Sequence, residues 1–386
     1  MRFSTVRAQG FSVVELLVSV VIGLLALVFA TRLITGSEQS KQSALGTSDS
    51  MQNGMLAMFS ISGDANQAGF GLNDPILIGC NTRFSDNEGY VLAGAPRGGA
   101  TVRPLAPAII ESNGSAPDVI TLYSGSSPTG TGTLRVATDY IGGTRLNVDR
   151  DPSYGFKAGD VVVVAPENRA GDCALAQISE TPGSAPFVMV GGGANFRYNT
   201  GSLGLNFKGG ATRLFNLGPA ATLSLHTWSV SNGFLRLRST DMAGSSAAPA
   251  TVADNIVSIK AQYGFDTRTG SAFTGRKGLR IGTWSATMID ADANGTVGSA
   301  GDYEHLAALR IAVVARSKTR ERPAAGAACG ATTAKPVVFA SKEPAGIAAV
   351  PMTVDVAVTG DSADWRCYRY RVFETVVPLR NADWNP

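Results

Sequence analysis

Three groups of residues in this 386-residue chain have side chains and spacings that could do chemistry. The first is Asp290-Ala291-Asp292-Ala293-Asn294-Gly295-Thr296, with Asp302 following. A D-x-D-x-N-G run is how a calcium loop begins. Ca²⁺ takes roughly six to eight oxygens, and a tight turn at glycine lets a short segment supply several. The usual acid at the twelfth loop position is missing, because Gly301 stands there, and Asp302 one place later would have to close the shell. The flanks do not read as EF-hand helices. Two readings stand side by side: an acidic turn with an Asn-Gly corner, which comes first, and a calcium site of Asp290, Asp292, Asn294 and Asp302. The second group is Cys80, Cys173, Cys329 and Cys367. With no C-x-x-C, neither a zinc knuckle nor a thioredoxin-like site is supported. An even number fits two disulfides in an oxidising compartment. Of the possible pairings, sequence separation favours Cys80–Cys173 with Cys329–Cys367. The third is one carboxylate, Glu15, inside an apolar run.

Catalysis finds little else to rest on. His226 and His305 are the only histidines, and His226, beside Trp228 in a strand candidate, reads as a packing or surface residue. There is no G-x-S-x-G or H-E-x-x-H, so triad and metal hydrolysis lack residues. The glycine-rich stretches lack a phosphate-cradling pattern. Net charge is +3, or +1 without Arg2 and Arg7, and no basic patch argues for nucleic acid. The expectation is a protein that is not an enzyme and needs no cofactor other than possible calcium.

The elements that must position these groups begin with the run around Glu15. Phe11 to Ile34 spans 24 residues, about 36 Å as a helix, enough for a hydrocarbon core of about 30 Å. The leader carries Arg2 and Arg7 and no acid, which keeps its end cytoplasmic and the remainder outside. A carboxylate within such a helix costs roughly 2.5–3.5 kcal/mol or more, so it calls for a partner. The next basic residue is Arg32. The natural partner is a free α-amino group at Phe11 of another chain, exposed if the chain is cut between Gly10 and Phe11. An ordinary secretory signal is cut after its apolar region instead.

Gly10-Phe11-Ser12-x-x-Glu15 followed by an apolar helix resembles the class III signal of type IV pilins and pseudopilins. The resemblance implies cleavage after Gly10 by a membrane prepilin peptidase, N-methylation of Phe11, and docking of Glu15 on a neighbouring subunit's N-terminus. Arg32 stands where major pilins carry a helix-bending proline. Residues 35–70 then read as an amphipathic continuation of the helix, ending near Gly69-Phe70-Gly71, with Met51, Met55, Met58 and Phe59 as core packing.

With 16% charged residues, 45 Gly and 18 Pro, the remainder reads as loop-rich and β-rich. Strand candidates are Asp118–Tyr123, Asp160–Ala165 and Cys173–Ile178, the last two joined as a hairpin through 166–171. Ser224–Val230 and Phe234–Ser239 form another across Ser231-Asn232-Gly233. In the second, Leu235-Arg236-Leu237-Arg238 alternates, giving one buried and one wet face. A boundary near 239–251 separates a middle region, 71–245, from a C-terminal sheet region, 246–386. That region holds Ile256–Tyr263, Leu309–Ala315, Val354–Val358 and Tyr368–Val377, with no competing helix.

Several of these stretches resemble the PilW minor pilins: Asn53-Gly54, Asp64, Ala68-Gly69-Phe70-Gly71 and Cys80, then Val252–Val257 with Gln262-Tyr263-Gly264, then Arg371–Asn381. The resemblance implies an α+β, type IV pilin-like fold, with a long N-terminal helix packed on a β-rich domain. It implies a minor pilin that primes pilus assembly and sits at the pilus tip. Its partners would be other minor pilins, the major pilin, a tip adhesin, the inner-membrane assembly platform and the prepilin peptidase. The protein would lie in the inner membrane with its globular part periplasmic, then at the cell surface after assembly. The alternative is a J-type minor pseudopilin of a type II secretion system; Glu15 argues against the K-type, which lacks this acid.

Overall fold

The computed structural model describes residues 12–72, 74–127, 133–191, 196–198, 201–273, 278–321, 323 and 326–382. Helix α1, Val13–Gln67, is 55 residues long, about 82 Å at 1.5 Å per residue. Ser12 caps it, its Oγ accepting from the Val14 N–H at 3.3 Å. The apolar segment and its polar continuation are therefore one helix, and neither Arg32 nor the glycines at 23, 36, 46 and 54 interrupt it. Val13–Ile34 is long and apolar enough to cross a membrane. Its side chains are exposed on every face, the pattern of a helix whose surroundings are themselves apolar.

The lower half docks on the domain through a stripe of mostly small residues. Ala57, Ile61, Ala65 and Ala68 are buried at the three- and four-residue steps of one helix face. The methionine expectation fails here. Met51, Met55 and Phe59 are 46%, 53% and 77% exposed, and only Met58 packs partly against the core. The physical reason is close approach: a Cβ on Gly54 would lie 2.0 Å from the Phe373 ring, so the docking face must be small and the long side chains point away. After Ala68, Gly69 and Gly71 take positive φ, 86° and 71°, and turn the chain into the sheets.

Three larger sheets follow. The first contains Thr82–Arg83, Cys173–Gln177, Asp160–Pro166, Thr212–Pro219 and Thr133–Arg135, in that order. Val161 and Val163 point into the main core while Val162 and Val164 fill a second cluster with Phe156 and Leu214. Burial on both faces explains its unbroken valine run. The central sheet is fully antiparallel, in the order Ala250–Asp254, Phe234–Ser239, Ser224–Ser231, Val119–Ser124, Ala108–Glu111. Asn232 and Gly233 make its hairpin turn with φ of 53° and 79°, the two positive values a two-residue turn of this hand needs. The sheet takes strands from both sides of residue 245. The C-terminal sheet is antiparallel in the order Thr283–Ser285, Ile256–Phe265, Leu306–Arg316, Tyr370–Pro378. Its last two strands make most of the contacts with the docked half of the helix, with Phe373 and the buried Leu309, Ile311 and Val313 in the core there.

Two further expectations are corrected. Val354–Val358 is not a strand; only Met352–Thr353 pairs, with Val337–Val338. Val354 and Val356 are buried in a small cluster with Val338 and Phe339. The Asp355 N–H, however, goes to the Ser115 carbonyl at 2.7 Å, so the backbone follows a loop partner and no ladder forms. The second half does hold a helix, Ala300–Glu304, a single turn with a Ser299/Asp302 capping box. Disulfides join Cys80 to Cys173 and Cys329 to Cys367. The second closes an excursion between the last two long strands that covers the sheet face opposite the helix.

Candidate functional site

The residues singled out along the chain converge on the seam between α1 and the sheets. Asn53 lies one helical turn above the buried stripe, and its amide donates to the carboxylate of Asp254 at the end of the central sheet's edge strand. Gly54, next to it, is filled against by Phe373. Asp64, near the helix end, accepts at one oxygen from His226 Nδ1 at 2.7 Å and from Trp228 Nε1 at 2.8 Å. His226 and Trp228 are two apart in one strand, so they share a face. Below the helix, Gly69 N–H donates to Tyr123 O at 2.9 Å and Gly125 N–H to Phe70 O at 2.7 Å. Asn381, beyond the last strand, donates to Asn66 O at 3.1 Å.

His226 is the electrostatic centre of this seam. Its second nitrogen, Nε2, lies 2.8 Å from Asp241 Oδ1. Both ring nitrogens thus face carboxylates, which makes the ring a double donor, the imidazolium. Burial opposes that charge, but the hydrogen bonds to Asp241 and Asp64 outweigh it and raise the His226 pKa to about 9. Asp241 is held well below the usual carboxylate range: burial works against this, and the hydrogen bond from His226, with those from Ser239 and Ser224, overcomes it. The expectation of a bland packing histidine therefore gives way to a bridge between helix and sheet. Spacing alone could not pair His226 with an aspartate 162 residues earlier. The available signal was His226-x-Trp228, two polar-edged rings on one strand face.

Of the remaining site residues, Gly10 and Phe11 lie outside the described residues. Glu15 sits in the first turn of α1, where a carboxylate complements the helix dipole, and it projects from an exposed stretch of helix. Asp290, Asp292 and Asp302 are brought together, with carboxylate oxygens within 4.8 Å of one another. Backbone donors already hold them: Asn294 and Gly295 N–H bond Asp290, and Ala291 and Ser299 N–H bond Asp302 at 2.6 and 2.9 Å. Burial first, and the charge of Asp292 after it, push the Asp302 carboxyl up. A cation would relieve that repulsion, and an all-oxygen donor set suits a hard ion. The Asn294 side-chain oxygen instead accepts from Thr296 N–H at 2.8 Å, while its Nδ2 donates to Asp292 Oδ2 at 2.7 Å. His305 is buried, bonded through Nδ1 to Asp266 O at 2.7 Å and stacked on Phe273.

Residues 225–381 match the family model of the type IV pilus-assembly protein W, PilW. Over these residues the chain is similar to the PilW family. No curated protein matches the chain. The PilW region begins one residue before His226 and ends at Asn381, so it contains the sheet side of every side-chain contact in the seam: His226, Trp228, Asp241, Asp254, Phe373 and Asn381. The helix-side partners, Asn53, Gly54, Asp64 and Asn66, lie before it. The disulfide between Cys329 and Cys367 falls inside the PilW region, and the one between Cys80 and Cys173 falls outside.

Proposed function

We propose that this protein is a minor pilin that takes part in priming type IV pilus assembly and sits at the pilus tip with other minor pilins and an adhesin. The observation that carries the reading is the overlap of the PilW region with the strands that receive α1. The function is then one of presentation. The exposed half of the helix is stored in the inner membrane and later packs among other helices, while the sheets offer partner-specific lateral surface outside. Two disulfides support an oxidising location for the globular part. Glu15 gives the helix one polar point for a neighbouring N-terminus, freed by cleavage after Gly10 and methylated at Phe11. The role is non-catalytic.

Affinity capture from membranes with the tagged full chain tests this. Wild type is expected to bring down minor pilins and the assembly platform, while Glu15→Ala is still cleaved yet recovers none of them. Recovery of secretion-system pseudopilins in their place would overturn the reading in favour of a J-type pseudopilin. Normal assembly of the Glu15→Ala variant would remove the role given to that carboxylate.

A further inference from the structure

The wet face of the central sheet is not open surface. Glu111, Val119, Thr227, Ser229 and Arg238 floor a cleft of about 980 Å³, walled by segments 81–84, 91–94 and 101–103. Its size is near the upper end of ordinary ligand pockets, which are mostly apolar; this one is polar. Among the described residues, the guanidinium groups of Arg103 and Arg238 and the carboxyl of Glu111 have no hydrogen-bond or ion-pair partner within the chain. Arg83 is steadied at the rim by Gly204 O at 3.1 Å. Asp172, also at the rim, takes the Asn81 amide at 2.9 Å. Thr227 is held by Tyr90 and Thr121 at 2.9 and 3.1 Å, so the floor's hydroxyl is pre-oriented.

The mixture narrows the ligand. Among the described residues, Phe84 is the one aromatic lining it, so stacked bases have too little to rest on. The floor is a sheet face whose backbone groups are engaged in the ladder, so an extended peptide finds no main-chain partners there. Three guanidinium groups ask for carboxylate, which they bind in a bidentate manner. The carboxyl of Glu111 and the Thr227 and Ser229 hydroxyls suit a ligand whose own hydroxyls both donate and accept. We propose that this cleft binds an acidic oligosaccharide, with a uronate carboxylate on Arg103 and Arg238 and ring hydroxyls on Glu111 and Ser229.

Calorimetric titration of the full chain in detergent tests it, with a short oligogalacturonate, a maltose oligomer of equal length, oligoglutamate and oligothymidylate as probes. Oligogalacturonate is expected to bind at least about tenfold tighter than each of the others, a gap of about 1.4 kcal/mol. Arg238→Ala and Arg103→Ala are each expected to cost about tenfold or more for that probe. Arg103 is exposed at the rim, so its loss leaves the core intact and separates lost binding from lost folding. Absence of oligogalacturonate binding, equal binding by the Arg103→Ala variant, or tighter binding of oligoglutamate or oligothymidylate would each overturn the assignment.

Discussion

At the scale of single residues, His226 makes the seam pH-dependent in a stated direction. Its folded pKa, about 9, lies above the unfolded value of about 6.5. The stabilisation is therefore fully present below about pH 6.5 and is lost as pH rises through about 9. Its upper size is on the order of 3 kcal/mol. Thermal unfolding is expected to show a Tm that falls between pH 6.5 and 9.5 in wild type and is nearly flat over that window in His226→Gln. The loop at Asp290–Asp302 carries a second residue-scale expectation. If it takes calcium, millimolar Ca²⁺ raises Tm, by about 2.7 kcal/mol of stability at a hundredfold excess over Kd, and Asp292→Asn removes the gain. A wild-type Tm unmoved by Ca²⁺ leaves an acidic turn whose carboxylates are satisfied by donors within the loop.

At the scale of the element, two glycines in the same helix are expected to respond oppositely. A methyl group added at Gly63 would meet nothing within 4 Å, so Gly63→Ala is expected to stabilise by about 0.5–1 kcal/mol through helix propensity. At Gly54 the Phe373 ring occupies the space, and overpacking of this kind costs roughly 1–3 kcal/mol. Gly54→Ala is therefore expected to lower the denaturant midpoint while Gly63→Ala raises it, and Phe373→Leu is expected to rescue the first. The sequence made α1 legible because hydrophobic length is a local property. It also made the hairpin at Asn232-Gly233 and most long strands legible, since alternation and turn residues report on their own neighbourhood. It misassigned Met51 and Met55 because helical spacing says which residues share a face but not which face meets the domain. That choice was made by Phe373, more than 300 residues away.

At the scale of the molecule, the sheets are tied by groups that no local pattern reveals. Lys260 in the C-terminal sheet and Asp118 beside the central sheet are both fully buried and ion-paired. The Lys260 ammonium also donates to Gly114 O and Ala116 O at 2.8 and 3.0 Å, and Asp118 accepts from Ala261 N–H at 3.0 Å. Such a pair is costly to break, because either partner alone is a buried, uncompensated charge. In the sequence, Lys260 is one cation in a strand. The seam was legible only as a set of separate residues, Asn53, Gly54, Asp64 and Arg371–Asn381, whose shared location needed the fold. Asp241 was not legible at all, and of His226 only its place beside Trp228 in a strand was.

The spacing of the seam's anchors has a mechanical consequence. Asn53 and Asp64 are 11 residues apart on one helix, about 16 Å along its axis, and each grips the central sheet, at Asp254 and at His226 with Trp228. A pull along the helix axis loads both anchors and the Gly54–Phe373 contact together, in shear. A pull across the axis would peel them one after another. The domain is thus built to resist tension along its own helix.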